Sequence, residues 1–490
     1  MNYWFDHILY NTRSQPESTA LVMEDRVVTY RMLGIAIENS ARRIASLKIL
    51  KEAPVAICVA NPIRNLALCL ALYQIGMCSI SLDYGQLGIS NLKFAAILGD
   101  GEAKSRVDSS SQFIEVMDDW FALDAAPGDL PPDGFCDPGE ICRYALTSGS
   151  TGAQKTFGCT IEYVGRHVPR AIIYNCTHVL CMLGLSSAWG YLIACATLAT
   201  GKTLCFATTP FQAVRMIETF SIDYFMASID QLVAITRVAR KQSAKLGSLR
   251  TVVAGGSVPS RALLEAAAAH VCKDLICRYG TTELGLVADA PATEVLENPG
   301  LIGRVIPDIE LAVFDQRGNR LSSGKVGIVK GRIKSWIGAL AAERENQHPW
   351  IDVGDVGWVT SDNRFFVVGR TADIMTSSID DATAQQVSPV YEVEHLVKLE
   401  WDATDAAAVL IGDGSRQPEI WVGAVDCKDA DAAKLETILR RRGIEGAVRL
   451  FSLPSIPRAA NGKIQHAQLK SQLLNIASIS NPGSESLQIK

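Results

Sequence analysis

The chain has no CxxC pair and no Cys/His spacing of the kind that holds zinc, although it contains thirteen cysteines. An odd count without paired spacing, in 490 residues, argues against a disulfide framework. It reads as reduced, mostly buried thiols, and a cytoplasmic location is expected. Strong charge of either sign is missing too. The formal net charge is −5, which argues against a general nucleic-acid binder but not against one nucleotide in a local basic site. The opening MNYWFDHILYNTR has no basic stretch ahead of an apolar core, so no secretory signal is expected. Val179 to Thr200 lacks any charged residue and is long enough in principle to cross a bilayer. Its Gly184, Ser186, Ser187 and Gly190, and its many Ala and Cys residues, favour a buried helix of a large α/β domain, so no membrane span is expected.

What is present is an apolar share of 48%, that of a globular chain, over 490 residues, a length that suits two or three domains. Short apolar runs alternate with helical ones. Val27–Tyr30 reads as a strand, with Thr29 capping a helix from Arg31 to about Leu47. Pro54–Ala60 and Cys78–Leu82 read as strands around a helix at Ile63–Tyr73. Asn91–Leu98 reads as a helix and Ala103–Val107 as a weak strand. Further strands are expected at Lys202–Phe206, Tyr224–Ala227, Leu249–Ala254 and Leu275–Arg278. This alternation predicts an α/β fold of parallel sheets with helices on both faces. Turn signals between Gly303 and Val329 predict a small antiparallel region, and Trp401–Val425, Ala430–Arg442 and Ala447–Phe451 predict a smaller α+β part at the C-terminal end.

Four stretches carry chemistry. In YALTSGSTGAQKT, Thr147, Ser148, Ser150 and Thr151 interleave with Gly149 and Gly152, and Lys155 follows. Glycines let backbone N–H groups approach a polyphosphate, the hydroxyls add donors and the lysine adds charge. It is not a Walker A loop, because Gln154 stands before the lysine where that pattern requires glycine. Gly255, Gly256 and Ser257 end one expected strand, at the edge where open α/β sheets bind ligands. Tyr279-Gly280-Thr281-Thr282-Glu283 ends the next: a flat ring for a purine, a hydroxyl for a phosphate and a hard carboxylate for Mg²⁺. In the fourth, Pro457-Arg458-Ala459-Ala460-Asn461-Gly462-Lys463, the Asn-Gly turn projects an amine.

Together with WIDVGDVG around Asp355 and the Gly369-Arg370 pair, these stretches resemble, in order, the motifs of the adenylate-forming superfamily. That superfamily includes acyl-CoA synthetases, adenylation domains of peptide synthetases and luciferases. The resemblance implies a large AMP-binding domain, 1–369, and a smaller C-terminal lid, 370–490, that carries the catalytic Lys463. Thr147 to Lys155 would hold the β- and γ-phosphates, and Gly255, Gly256, Ser257 and Tyr279 to Thr281 the adenine side. Thr282 would bond the α-phosphate, Glu283 would hold Mg²⁺, Asp355 would take the ribose hydroxyls, and Arg370 would mark the hinge.

The implied reaction activates a small carboxylic acid with ATP and Mg²⁺ to an acyl-adenylate, releasing pyrophosphate. Transfer to the thiol of CoA is the expected second step. Transfer to a carrier-protein thiol or an amine, and a non-catalytic nucleotide-binding homologue, are the alternatives. The sequence departs from the pattern after the hinge, where Ala372 replaces an acid and Ile374–Pro389 is longer and lacks the usual glycine. Ser186–Tyr191 contains no acid to bind an α-ammonium, which favours an acid without an α-amine. Trp189 and Tyr191 either wall its pocket or belong to the core.

Overall fold

The computed structural model describes residues 3–24, 26–87, 92–107, 112–124, 134–148, 154–171, 175–334, 350–371, 389–412, 418–427, 429–458 and 464–480. The chain divides into two compact units, Met1–Gly256 with His270–Asp289, and Ser257–Ala269 with Ala290–Lys490.

The first unit is α/β. Its strands in chain order are β1 (Thr19–Met23), β2 (Arg26–Thr29), β3 (Val55–Cys58), β4 (Ser79–Ser81), β5 (Ala96–Gly99), β6 (Phe113–Glu115), β7 (Ile141–Ser148), β8 (Gln154–Thr160), β9 (His178–Cys181), β10 (Thr203–Phe206), β11 (Tyr224–Ser228), β12 (Thr251–Gly255), β13 (Leu275–Thr281) and β14 (Gly285–Pro291). One sheet runs β6-β5-β3-β4-β7-β8. It is parallel as far as β7, and β8 returns antiparallel. A second set is ordered β14-β13-β12-β11-β9-β10-β1-β2, and the pairs from β13 to β1 are parallel. Helices α1 (Tyr3–Ser14), α2 (Tyr30–Ser46), α3 (Pro62–Gln74), α4 (Gly101–Lys104), α5 (Ile161–Ala171), α6 (Ala188–Ala199), α7 (Pro210–Phe220) and α8 (Ile229–Gln242) belong to this unit. Thr29 caps α2 by accepting from the Met32 N–H at 3.2 Å. Asn61 caps α3, with Pro62 in the first turn where its missing N–H costs nothing.

The second unit begins with α9 (Arg261–His270) and α10 (Ala292–Glu297). Its strands β15 (Leu301–Val305), β16 (Ile309–Phe314), β17 (Gly327–Ile333), β18 (Ile351–Val359) and β19 (Arg364–Arg370) lie in the order β16-β17-β18-β19-β15, all antiparallel. Its C-terminal part is α11 (Val390–Glu400), β20 (Asp405–Ile411), β21 (Glu419–Val425), α12 (Ala432–Arg441), β22 (Val448–Ser452) and α13 (His466–Ser480). There β20-β21-β22 form a small sheet.

Two sequence expectations are corrected. The expected helix Asn91–Leu98 is not formed in its described residues, where Ala96–Gly99 is a fully buried strand, and the start of the expected weak strand Ala103–Val107 belongs to the helix Gly101–Lys104. A four-residue apolar run gives no periodicity that separates a buried strand from a helix, and here pairing with β3 decided. The uncharged run Val179–Thr200 is not one helix but strand β9, a turn and α6. Ser187 caps α6 by accepting from Gly190 N–H at 3.1 Å. No helix among the described residues is long and apolar enough to cross a membrane. All thirteen cysteines are free thiols, most of them buried.

Candidate active site

The Gly255-Gly256 and Tyr279–Glu283 stretches of the first unit fall at the ends of neighbouring strands. Parallel pairing of β12 with β13 sets Gly255 opposite Arg278, so the Gly255-Gly256 turn leaves the sheet beside Tyr279, which continues β13. Gly255 is buried between the Arg278 carbonyl and the edge of the Trp189 ring, and a β-carbon there would overlap the carbonyl. Gly256 takes a left-handed φ of +85°, which favours glycine. Gly256 and Gly280 are exposed, Tyr279, Thr281, Thr282 and Glu283 are half-buried. Ser257, the first residue of the second unit, is also exposed. The carboxyl ends of strands are where open α/β sheets bind ligands.

Of the Ser/Thr/Gly stretch, Thr147 and Ser148 end β7, and Lys155 stands at the start of β8. Thr147 pairs with Lys155 and Ser148 with Gln154 in register. Gly149, Ser150, Thr151 and Gly152 lie outside the described residues. Strand β7 is tied to the segment before α6: Leu146 N–H donates to Ser186 O at 3.1 Å.

Arg143, three residues earlier, is only 1% exposed. Its guanidinium donates to Ser79 Oγ and Cys69 Sγ at 3.2 Å and to Ser81 Oγ at 2.9 Å. It also donates to the Leu185 carbonyl and lies 4.2 Å over the Tyr191 ring. Tyr191 is 3% exposed, with Trp4 edge-on against it at 6.4 Å. Trp189 is half-buried against the Gly255 turn. A cavity of about 390 Å³ opens beside Ser81, Leu183, Leu185 and Ser186.

The second unit brings together Asp355 and Arg370. Their strand positions are paired, and Arg370 Nη1 lies 3.2 Å from Asp355 Oδ1. Asp355 is 4% exposed and follows Gly354, whose φ is +77°. Lys463 lies outside the described residues, but Arg458 ahead of it forms a two-pronged bond to Asp405, 2.9 Å and 2.7 Å. Lys398 Nζ reaches the same carboxylate at 3.4 Å. Burial alone would push the Asp405 pKa up; its bonds to Arg458 and Lys398 outweigh that and hold it below the ordinary carboxylate value.

Sequence reasoning passed over Tyr163, His167 and Arg143. Arg143 had a signal, a lone charge inside the otherwise apolar Ile141–Leu146. Tyr163 and His167 had only helical spacing. Among the described residues no group of three His, Cys, Asp or Glu could hold a metal by itself.

A family model for AMP-binding enzymes matches residues 10–332, and the chain belongs to that family. It is 23% identical over 476 residues to a 2-succinylbenzoate–CoA ligase of Listeria monocytogenes, spanning 94% of this chain and 97% of the relative. Its fold is similar to that of the amide bond synthetase McbA from Marinactinospora thermotolerans, with a TM-score of 0.72, 22% identity and coverage of 96% and 99%. It is equally similar to the O-succinylbenzoate coenzyme A synthetase of Bacillus subtilis in complex with ATP and magnesium, with a TM-score of 0.72, 20% identity and coverage of 95% and 99%.

Proposed function

We propose that the chain activates a carboxylic acid with ATP and passes the acyl group to the thiol of CoA. The observation that carries this reading is the pair of neighbouring strand ends, with Gly255 confined by Arg278 and Trp189 beside Tyr279 and the Thr282-Glu283 pair. In the first step a carboxylate oxygen attacks the α-phosphorus, the bond to the β-phosphate oxygen breaks, and pyrophosphate leaves. In the second the thiolate attacks the acyl carbon and AMP leaves. Such displacements need placement and charge neutralisation more than covalent help.

Thr147 to Lys155 hold the outer phosphates in this reading, and Gly255, Gly256, Ser257 and Tyr279 to Thr281 the adenine side. Thr282 bonds the α-phosphate and Asp355, oriented by Arg370, takes the ribose. Glu283 would hold Mg²⁺, which when bound neutralises phosphate charge. Residues 370–490 act as the lid, and Lys463 stabilises charge on the carboxylate and α-phosphate. Trp189 walls the acid site in this reading, while Tyr191, buried under Arg143, serves the core. An amine or carrier-protein thiol is the second reading for the acceptor, favoured by the longer, glycine-free Ile374–Pro389 and by likeness to an amide bond synthetase.

ATP–pyrophosphate exchange over a panel of aryl and alkyl carboxylic acids tests the first step. Exchange with at least one acid is expected, and Lys463→Ala should lower it by about 10²–10³. No exchange with any acid, despite ATP binding, would leave only a nucleotide-binding module. Product analysis with CoA, and with amines in its place, decides the acceptor.

A further inference from the structure

We propose that Tyr163 is a positioning residue that holds Glu283 in place against the strand carrying Lys155. This rests on the assignment of Glu283 to the metal–phosphate group made above. Tyr163 stands in the first turn of α5, which follows directly on β8. Its N–H donates to Thr160 Oγ1 at 3.1 Å. Its ring packs on Phe157, two residues beyond Lys155, with centroids 5.4 Å apart. Its hydroxyl donates to the Thr282 carbonyl at 2.8 Å, one residue before Glu283. Tyr163 is 7% exposed. Its hydroxyl pKa is pushed well up, by burial first and then by the charges of Cys159 and Glu283. One rigid, buried side chain thus spans from the phosphate hairpin to the backbone that bears the carboxylate.

The other end of that backbone is fixed from the same helix. His167 lies one turn further along α5, its ring 4.4 Å from that of Tyr163. It packs against Gly285, where a left-handed φ of +69° and the imidazole leave no room for a β-carbon. Thr282 to Gly285 is therefore clamped at both ends, and Glu283 lies between the clamps. A carboxylate that must meet a metal and a phosphate needs positional tolerance of about half an ångström, which a turn without such anchors does not keep. The Tyr163 hydroxyl proton is engaged by a carbonyl, so its part is to place Glu283 rather than to touch the reacting atoms.

Tyr163→Phe removes the hydroxyl and keeps the ring stack. ATP binding measured by calorimetry, with and without Mg²⁺, reads the effect without knowledge of the acid. In the unaltered protein Mg²⁺ should tighten ATP binding, and Glu283→Gln should abolish that gain. Tyr163→Phe should shrink the gain roughly five- to tenfold, the size of one lost hydrogen bond, while affinity for ATP alone stays unchanged. A full Mg²⁺ gain in Tyr163→Phe, with the gain lost in Glu283→Gln, overturns the role of Tyr163 and leaves that of Glu283 standing. Equal weakening with and without Mg²⁺ also overturns it, because a purely structural role predicts that result. A full gain in Glu283→Gln overturns the assignment on which both rest.

Discussion

Arg143 in the first unit and Asp405 in the second are satisfied in opposite ways. In the first, Arg143 is enclosed by hydroxyls, a thiol, a carbonyl and an aromatic face, with no carboxylate among its contacts. In the second, charges are matched. Glu392 bonds Arg442 at 3.0 Å and the Ala262 N–H at 3.1 Å. Glu394 accepts from the Ala408 N–H at 2.9 Å and lies 3.4 Å from His466. Asp405 takes both Lys398 and Arg458. A guanidinium among neutral acceptors keeps its charge at every ordinary pH and ties segments together, while a carboxylate between two cations makes its region depend on that one acid. The Arg143 contacts join α3, β4 and the segment before α6 to strand β7, which ends at Ser148. The Asp405 contacts anchor the start of the segment that leads to Lys463.

The largest effect that would break this contrast is Asp405→Ala. It leaves Lys398 and Arg458 without their shared anion, and urea unfolding should register a loss of about 3 kcal/mol. Arg143→Met keeps an unbranched apolar shape and strands only neutral acceptors. Its loss should be smaller, about 1–2 kcal/mol. A larger loss for Arg143→Met than for Asp405→Ala would reverse the comparison.

The smallest effect is on pH dependence. The folded pKa of Asp405 is lowered, so the unfolded chain takes up its proton first as pH falls. Its contribution to stability is complete well above the unfolded value of about 4 and is lost as pH drops toward the folded pKa. Asp405→Asn should flatten the unfolding free energy between pH 6 and 3, as about one proton no longer titrates. Arg143→Met should leave that slope as it is.

Much of the first unit was legible in the residues. Thr29 before an amphipathic run gave a helix start, and strand-ending glycines gave the turns beside Tyr279. Boundaries failed where only burial distinguishes strand from helix, as at Ala96–Gly99. Strand order was hidden as well: β1 lies beside β10, with Leu21 paired to Leu204, and no local pattern announces such a distant partner. Tyr163 was hidden because its worth lies in the Thr282 carbonyl, 119 residues away.

The order and chemical type of the stretches Thr147–Lys155, Gly255–Ser257, Tyr279–Glu283 and Pro457–Lys463 were set by the chain alone, because each depends on residues adjacent in sequence: glycines that free the backbone, hydroxyls that donate, a carboxylate, an amine. Only the folded molecule decided what holds them. Arg143 among neutral oxygens, the clamp on Thr282 to Gly285 and the anion shared by Lys398 and Arg458 are distant groups brought within hydrogen-bonding range, and such proximity is a property of packing rather than of any local run of residues.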